Sequence, residues 1–330
     1  MARVAITGAS GLLGANLAAA LRAAGHHVVA TRRRSTKLTH LEDLELEWRT
    51  ADLDDVDGLA RAFAGVEAVF HCAAVVSVRK EVTPEMQRTN VDGTRNVVEA
   101  VRRAGGPRLV HTSSVVAVGL STGDQPCDET SPWNYEDFDL TNAYALTKRQ
   151  AEEHVLGAVR AEGLDAVVVN PTYMLGPRDA RPSSGKLLLD VARRRLPSWT
   201  LGYNNFVDVR DVARGMIAAW QRGRTGERYI LGGHDLTYRA LFELAAKVAG
   251  VAPPRLGLPL PLARVVGWWG DRVERRGGEP VVNSVQVRYA FTDRFRFSSA
   301  KAERELGYAW GPLEPAVRDA LEWFTAHGML

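Results

Sequence analysis

Cysteine is scarce: the chain holds two, Cys72 and Cys127. That excludes a disulfide-stapled scaffold and suits a reducing compartment. Charge of one sign is lacking too. The 42 basic residues stand against 39 acidic ones, a formal net charge of +3, too small to create the field that gathers nucleic acid. No apolar run reaches the ~20 residues a membrane-spanning helix requires. A first strand at Val4-Ala5-Ile6 follows Met1 too closely for a signal peptide, so the expected location is cytoplasmic. His26, His27, His71, His111, His154 and His234 show no H-x-x-H or Cys/His ligand spacing, and no metal site is expected. Repeats and low-complexity tracts are missing as well.

What is present is a 330-residue chain, 45% apolar and 25% charged. That is the make-up of an ordinary folded protein, and the length suits a main domain with a smaller lobe. Apolar runs at 3–7, 27–31, 46–52, 68–74, 109–114 and 166–170 alternate with helix-like stretches at 12–24, 56–63, 84–104 and 142–162. Such alternation predicts an α/β fold: a doubly wound parallel Rossmann sheet with helices on both faces. A reversal of strand order would then open a ligand crevice at the carboxyl ends of the strands. After Pro171 the pattern breaks up, with loop signals at Gly176-Pro177, 181–185 and Pro253-Pro254. The expected division is a dinucleotide-binding domain over 1–176 and a mostly substrate-binding, discontinuous C-terminal lobe over 177–330. Residues 204–222, a strand at 206–209 and a helix at 212–220, are expected to return to the main sheet.

The first chemical signal is Thr7-Gly8-Ala9-Ser10-Gly11-Leu12-Leu13-Gly14. It lies between the first strand and the first helix. Gly8 permits a tight turn, Gly11 lets backbone approach a pyrophosphate, and Gly14 lets the helix pack against the sheet. Ser10, Leu12 and Leu13 stand where a helix start offers unpaired N–H groups and a positive dipole end to phosphate. An ordinary glycine-rich turn is the plainer reading; the position directly after strand one favours a dinucleotide.

The second strand ends in Thr31-Arg32-Arg33-Arg34, with no acid nearer than Glu42. NAD-preferring proteins of this architecture usually hold the ribose hydroxyls with Asp or Glu at that point. Guanidinium groups instead match a 2′-phosphate in charge and fork geometry. NADP(H) is therefore the favoured cofactor, with Arg33 the first choice of contact; NAD(H) and a merely solvated turn are the alternatives. Asp52, ending the third strand, could accept a hydrogen bond from the adenine amino group or could cap the helix that follows.

Tyr144 and Lys148 are spaced Tyr-x-x-x-Lys, one helical turn apart on one face. A tyrosine alone titrates near ~10, and neighbouring cations, Lys148 and the oxidised nicotinamide, are expected to lower that value. Lys148 could also hold the nicotinamide ribose. Ser114 follows the fifth strand, where its hydroxyl could polarise a carbonyl that accepts hydride. Surface pairing is the default reading of Tyr-x-x-x-Lys alone; with the glycine loop and Ser113-Ser114 at a strand end, a catalytic site is expected.

Together these motifs resemble the extended branch of the short-chain dehydrogenase/reductase superfamily, the NAD-dependent epimerase/dehydratase branch, over essentially the whole chain. The likeness is greatest to dihydroflavonol-4-reductase-like and 3β-hydroxysteroid-dehydrogenase-like proteins. Further residues that carry it are Asp52-Leu53, 71–74, 90–94, 112–114, 170–177, 206–212 and 297–301. The resemblance implies that Ser114, Tyr144 and Lys148 form a triad, with Ser113 the less favoured serine. It also implies that Ala73 and Pro171 line the cofactor crevice, that Asp52-Leu53 contact adenine, and that the helices at 84–104 and 142–162 pair in a homodimer. Residues between Ser114 and Tyr144 depart from the plant flavonoid pattern, so no flavonoid substrate is implied.

Other features have plainer readings. His71 and His111 are expected to be hydrogen-bonded core or crevice residues, and Cys72 an apolar filler. Arg193-Arg194-Arg195 and Arg275-Arg276 read as solvated helix ends. Asn90 is a candidate to anchor backbone around the site. The apolar stretch 258–269 could cap a substrate pocket, sit on a membrane surface or pack in the small lobe, packing being the default. The expected activity is hydride transfer between NADP(H) and a small carbonyl or alcohol. Nucleotide-sugar epimerisation or dehydration is the second reading, and non-catalytic NADP(H) sensing the third.

Overall fold

The computed structural model describes residues 1–38, 40–77, 79–278, 280 and 282–330. Its first half alternates strands β1 (Arg3–Thr7), β2 (His27–Arg32), β3 (Glu47–Thr50), β4 (Ala68–His71), β5 (Arg108–Thr112) and β6 (Ala166–Pro171) with helices. The helices are α1 (Leu12–Ala23), α2 (Val56–Phe63), α3 (Pro84–Met86), α4 (Gly93–Arg103) and α5 (Ala143–Glu162). A π-helical segment, Gln87–Asp92, joins α3 to α4, so the helix expected over 84–104 is interrupted.

The second half comprises β7 (Tyr173–Leu175), α6 (Lys186–Ala192), β8 (Ser198–Trp199), β9 (Tyr203–Asp208), α7 (Val209–Arg222) and β10 (Arg228–Leu231). β11 (His234–Thr237), α8 (Tyr238–Ala249), β12 (Leu256–Gly257), α9 (Leu260–Arg275), α10 (Ser284–Phe291), α11 (Ala300–Leu306) and α12 (Leu313–Ala326) complete it.

Among the described residues, seven parallel strands form the main sheet in the order β10-β6-β5-β4-β1-β2-β3. Its central strands are apolar on both faces because helices cover both. Val4 and Ile6 of β1 join α1 and α7 in one core, while Ala5 joins α2, α4 and α5 in the other. The strand order reverses beside β1, which pairs with β2 on one side and β4 on the other. That is where a crevice opens in such sheets.

The strand expected to return to the main sheet does not. β9 lies instead between β7 and β11 in a separate three-stranded sheet, parallel to the first and antiparallel to the second. Its inward Phe206 packs with Leu188, Leu241, Phe242 and Phe324 in a core of the second lobe. The main sheet gains β10 as its edge, beside β6, although the smaller lobe was expected to contain those residues. Helix α7 does come back: Val212, Ala213 and Met216 are buried in the core with α1.

The apolar stretch 258–269 also departs from expectation. It does not pack as core. Most of it lies in α9, which leaves Leu262, Val265, Val266, Trp268 and Trp269 exposed.

Candidate active site

The carboxyl edge of the main sheet gathers the residues singled out in the sequence. Gly8 follows β1, Arg33 follows β2, Asp52-Leu53 follow β3, Ala73 follows β4, Ser113-Ser114 follow β5 and Pro171 ends β6.

The three loop glycines differ in why they are glycine. Gly8 has φ +74°, and a Cβ there would lie 2.6 Å from the Ala73 nitrogen. A Cβ on Gly14 would run into the Gly8 carbonyl. The protein's own packing therefore dictates both. Gly11 is exposed, and a Cβ on it would meet nothing nearer than the Gly8 carbonyl at 3.5 Å. Packing does not require glycine there; the approach of a ligand would. Gly11 is the N-cap of the 12-residue α1, which carries no side-chain cap, so the N–H groups of Leu12 and Leu13 are left for an anion.

Around this cradle, His40 Nε2 lies 3.2 Å from the Ser10 carbonyl, and Arg178 donates to the His40 carbonyl at 3.2 Å. Sequence reasoning missed His40, since a lone histidine in a loop carries no pattern. Arg33 and Arg34 are exposed. The Arg32 Nε is buried without a hydrogen-bond partner. Asp52 accepts from the Leu53 N–H at 2.7 Å, while Asp55 caps α2 by accepting from Gly58 at 2.8 Å. The helix-capping alternative for Asp52 is thereby overturned, and its exposed carboxylate stays at the sheet edge. Ser113 Oγ and Thr172 Oγ1, each next to a predicted contact, are buried without partners, as polar groups facing a ligand would be. These residues fit a dinucleotide along the edge.

Asn142 starts α5 by accepting from the Ala145 N–H at 2.8 Å. The helix then stacks Tyr144, Lys148 and Glu152 at successive i, i+4 positions toward the sheet. Ser114 stands beside the half-buried Tyr144 phenol and favours its ionised form. Burial pushes that phenol up to about 12, and Ser114 only partly offsets it. Lys148 and the oxidised nicotinamide together were expected to hold the phenol below its ordinary value. In the protein alone the phenol lies above that value, burial being the largest cause. The ammonium is itself buried and donates to the Thr112 carbonyl at 2.6 Å. Burial brings Lys148 down to about 8, with Glu152 and Cys72 pulling it back up.

Behind Lys148 lies a network that the sequence did not reveal. Glu152 is 3% exposed, accepts from Asn170 Nδ2 at 2.7 Å and pairs with Arg228 at 2.9 Å. Asn170 also donates to the Ser114 carbonyl at 3.0 Å, tying β6 to the serine. Only the i+4 spacing of Glu152 from Lys148 hinted at it.

Asn90, inside the π-helical segment, clamps the loop after β4. It accepts from the Val75 N–H at 2.7 Å, donates to the Val75 carbonyl at 2.9 Å and reaches Thr147 Oγ1 at 3.1 Å. The anchoring role read from the sequence is what the hydrogen bonds display. A π-bulge at such a point re-aims one side chain without ending the helix.

His71 bridges Thr7 and Thr94 at 2.6 and 3.1 Å. His111, expected to be hydrogen-bonded, has both ring nitrogens buried without partners. Burial takes His71 down to about 3 and His111 well below its ordinary value, so both are neutral. Cys72 is half-buried just past β4, and burial raises its thiol to about 11, which leaves it a poor nucleophile. Among the described residues, no group of three or more His, Cys, Asp or Glu is placed to hold a metal ion, and no helix is long and apolar enough to cross a membrane.

A doubly wound parallel sheet with a glycine cradle at its carboxyl edge is the architecture of a dinucleotide-dependent oxidoreductase. The model of the NAD dependent epimerase/dehydratase family matches residues 4–232, and the chain belongs to that family. A Synechocystis protein that carries dihydroflavonol 4-reductase as a provisional name is 35% identical, with 98% of this chain and 94% of that one covered. Sterol demethylase protein B of Methylococcus capsulatus is 36% identical over 98% of this chain and 99% of its own. Among solved structures, a nucleoside-diphosphate-sugar epimerase from Pseudomonas aeruginosa superimposes with a TM-score of 0.82 at 27% identity, covering 100% of this chain and 99% of that one.

Proposed function

We propose that the chain is an NADP(H)-dependent reductase that converts a ketone or aldehyde to an alcohol, or runs the reverse. The observation that carries the reading is Tyr144, with Ser114 beside it, one helical turn from the buried Lys148 ammonium that donates to the Thr112 carbonyl. When bound, the cofactor supplies the hydride from its nicotinamide ring. Gly11 and the start of α1 would hold its pyrophosphate, Asp52-Leu53 its adenine, Ala73 and Pro171 the crevice walls, and Arg33 its 2′-phosphate. Arg32, Arg33 and Arg34 make no ion pair among the described residues, which leaves them available for that phosphate.

Tyr144 delivers the proton. With its phenol pushed up to about 12, the proton is in place throughout the neutral range, and an alkoxide forming at the substrate oxygen is a stronger base than a phenolate. Ser114 donates a hydrogen bond to the same oxygen and orients it. Lys148, held by the Thr112 carbonyl, stabilises the phenolate left behind. Glu152, Asn170 and Arg228 position Lys148 and Ser114.

The test is oxidation of NADPH and NADH against a panel of aldehydes, ketones and keto-sugars, with wild type and Tyr144→Phe in parallel. The reading expects NADPH consumption with at least one carbonyl and a dead Phe variant. Nucleotide-sugar epimerisation, favoured by the solved relative from Pseudomonas aeruginosa, predicts a purified protein that carries NAD with no bulk turnover. The basic turn after β2 speaks against it.

A further inference from the structure

Helix α9 is inside out. Its 16 residues turn Ala263, Gly267 and Gly270 inward, where they are buried. The packing there is tight enough that a Cβ on Gly267 would lie 3.0 Å from the Ser284 Cα, and one on Gly270 would run into the Val282 carbonyl. The carboxylates of the helix turn the same way. Asp271 pairs with Lys80 Nζ at 2.7 Å and accepts from the Ser284 N–H at 2.9 Å, while Glu274 accepts from the Lys80 N–H at 3.1 Å and from Asn283 Nδ2 at 3.0 Å.

The opposite face carries Leu262, Val265, Val266, Trp269 and Val273, spaced three and four apart and 40–57% exposed. Trp268, at its border, stacks under the Arg272 guanidinium at 4.1 Å. Arg255 and Leu256, just before the helix, and Arg264, Arg272, Arg275 and Arg276 are all exposed. Among the described residues none of these arginines is in an ion pair with any acid of the chain, the acids of the helix being spent inward. A surface helix of a soluble domain shows the reverse arrangement.

We infer that this face of α9 docks on an anionic lipid bilayer, lying in the interface rather than crossing it. The geometry is that of an interfacial helix: apolar side chains with tryptophan on one side, arginines at the rim and no outward carboxylate. Charge decides between a bilayer and a second copy of the chain. A twofold contact would set this patch against itself, bringing two sets of arginines together with no acids between them. An anionic headgroup layer neutralises them instead. The docking also places the site at the surface, because the Lys80 segment that α9 holds belongs to the loop whose Arg79 carbonyl accepts from the Ala143 N–H at 3.1 Å at the start of α5.

The experiment is co-sedimentation of the full chain with vesicles of phosphatidylcholine alone and of phosphatidylcholine with phosphatidylglycerol. Wild type is expected to sediment with the anionic vesicles and to be released by high salt. V265D/W269D and R264E/R272E should each lose about tenfold or more of that binding. Thermal melting should be unchanged in both, since the substituted side chains are exposed. Absence of wild-type binding to either vesicle, or undiminished binding by V265D/W269D, overturns the inference. So does a wild-type dimer in sedimentation velocity that V265D/W269D dissolves while vesicle binding is absent, which assigns the face to a second copy.

Discussion

Helices α5 and α9 break the ordinary amphipathic pattern in opposite senses. α5 buries Thr147, Lys148 and Glu152 against the sheet, where polar side chains are costly unless each has a partner. α9 exposes valines and tryptophans to solvent and turns its small and acidic residues inward. In α5 the cost of burial is offset by defined bonds: the Thr112 carbonyl under Lys148, and Asn170 with Arg228 around Glu152. In α9 the apolar face stays exposed among the described residues. One helix settles its buried charges within the fold; the other leaves its apolar face to solvent.

The largest effect is expected at Tyr144. Tyr144→Phe should cut kcat/KM by about 10²–10⁴-fold while leaving dinucleotide affinity unchanged, read by steady-state kinetics and titration of cofactor fluorescence. A variant that keeps wild-type turnover removes α5 from the chemistry.

Next comes pH. Lys148 is charged below about 8, so reductive kcat/KM should be level below that value and fall as pH rises through it. Lys148→Arg stays charged at every accessible pH, so whatever activity it retains should lose that limb. The same limb in both proteins would assign it elsewhere.

Glu152→Leu leaves Arg228 and Asn170 facing an uncompensated site. Arg228 is 22% exposed at its side chain, so the loss belongs at the lower end for broken buried pairs, about 3 kcal/mol in urea unfolding. A loss under about 1 kcal/mol would mean that the network does not carry the helix.

The buried imidazoles set a smaller, pH-dependent effect. His71 and His111 titrate near 6.5 in the unfolded chain and far lower when folded. Below that value the unfolded chain takes up protons that the folded one refuses. Stability is therefore full above 6.5 and is lost as pH falls, by up to about 1.4 kcal/mol per pH unit for each ring. His111→Leu should lessen the slope between pH 6 and 5. Smallest of all, Val266→Ser on the outer face of α9 should change stability by no more than about 0.5 kcal/mol, although it removes an apolar side chain from an apolar helix face.

Much of the first half of the fold was legible because local signals agreed with one another. Strand runs, glycine spacing and Asn142 as a helix start all pointed to one alternating sheet, and the edge residues followed from it. β9 and β10 were misassigned because Phe206-Val207 and Tyr229-Ile230-Leu231 are apolar runs of equal appeal. Which of them pairs with β6 depends on contacts far apart in sequence. Glu152, Asn170 and Arg228 belong to three separate elements, so no spacing announces their meeting. In α9 the periodicity was visible, but a period does not say which face turns inward. The glycines decided it, since only the side lined by Gly267 and Gly270 can approach the 282–287 backbone so closely.

Under the proposed function, hydride passes from cofactor to a carbonyl carbon at the Ser114–Tyr144–Lys148 edge. A single turnover with NADPH deuterated at nicotinamide C4, followed by mass spectrometry of the product, tests it most directly. The expected product is a deuterated alcohol with stoichiometric NADP⁺, and none from Tyr144→Phe. A product that stays at the carbonyl oxidation level, with the cofactor unchanged at the end, would contradict it.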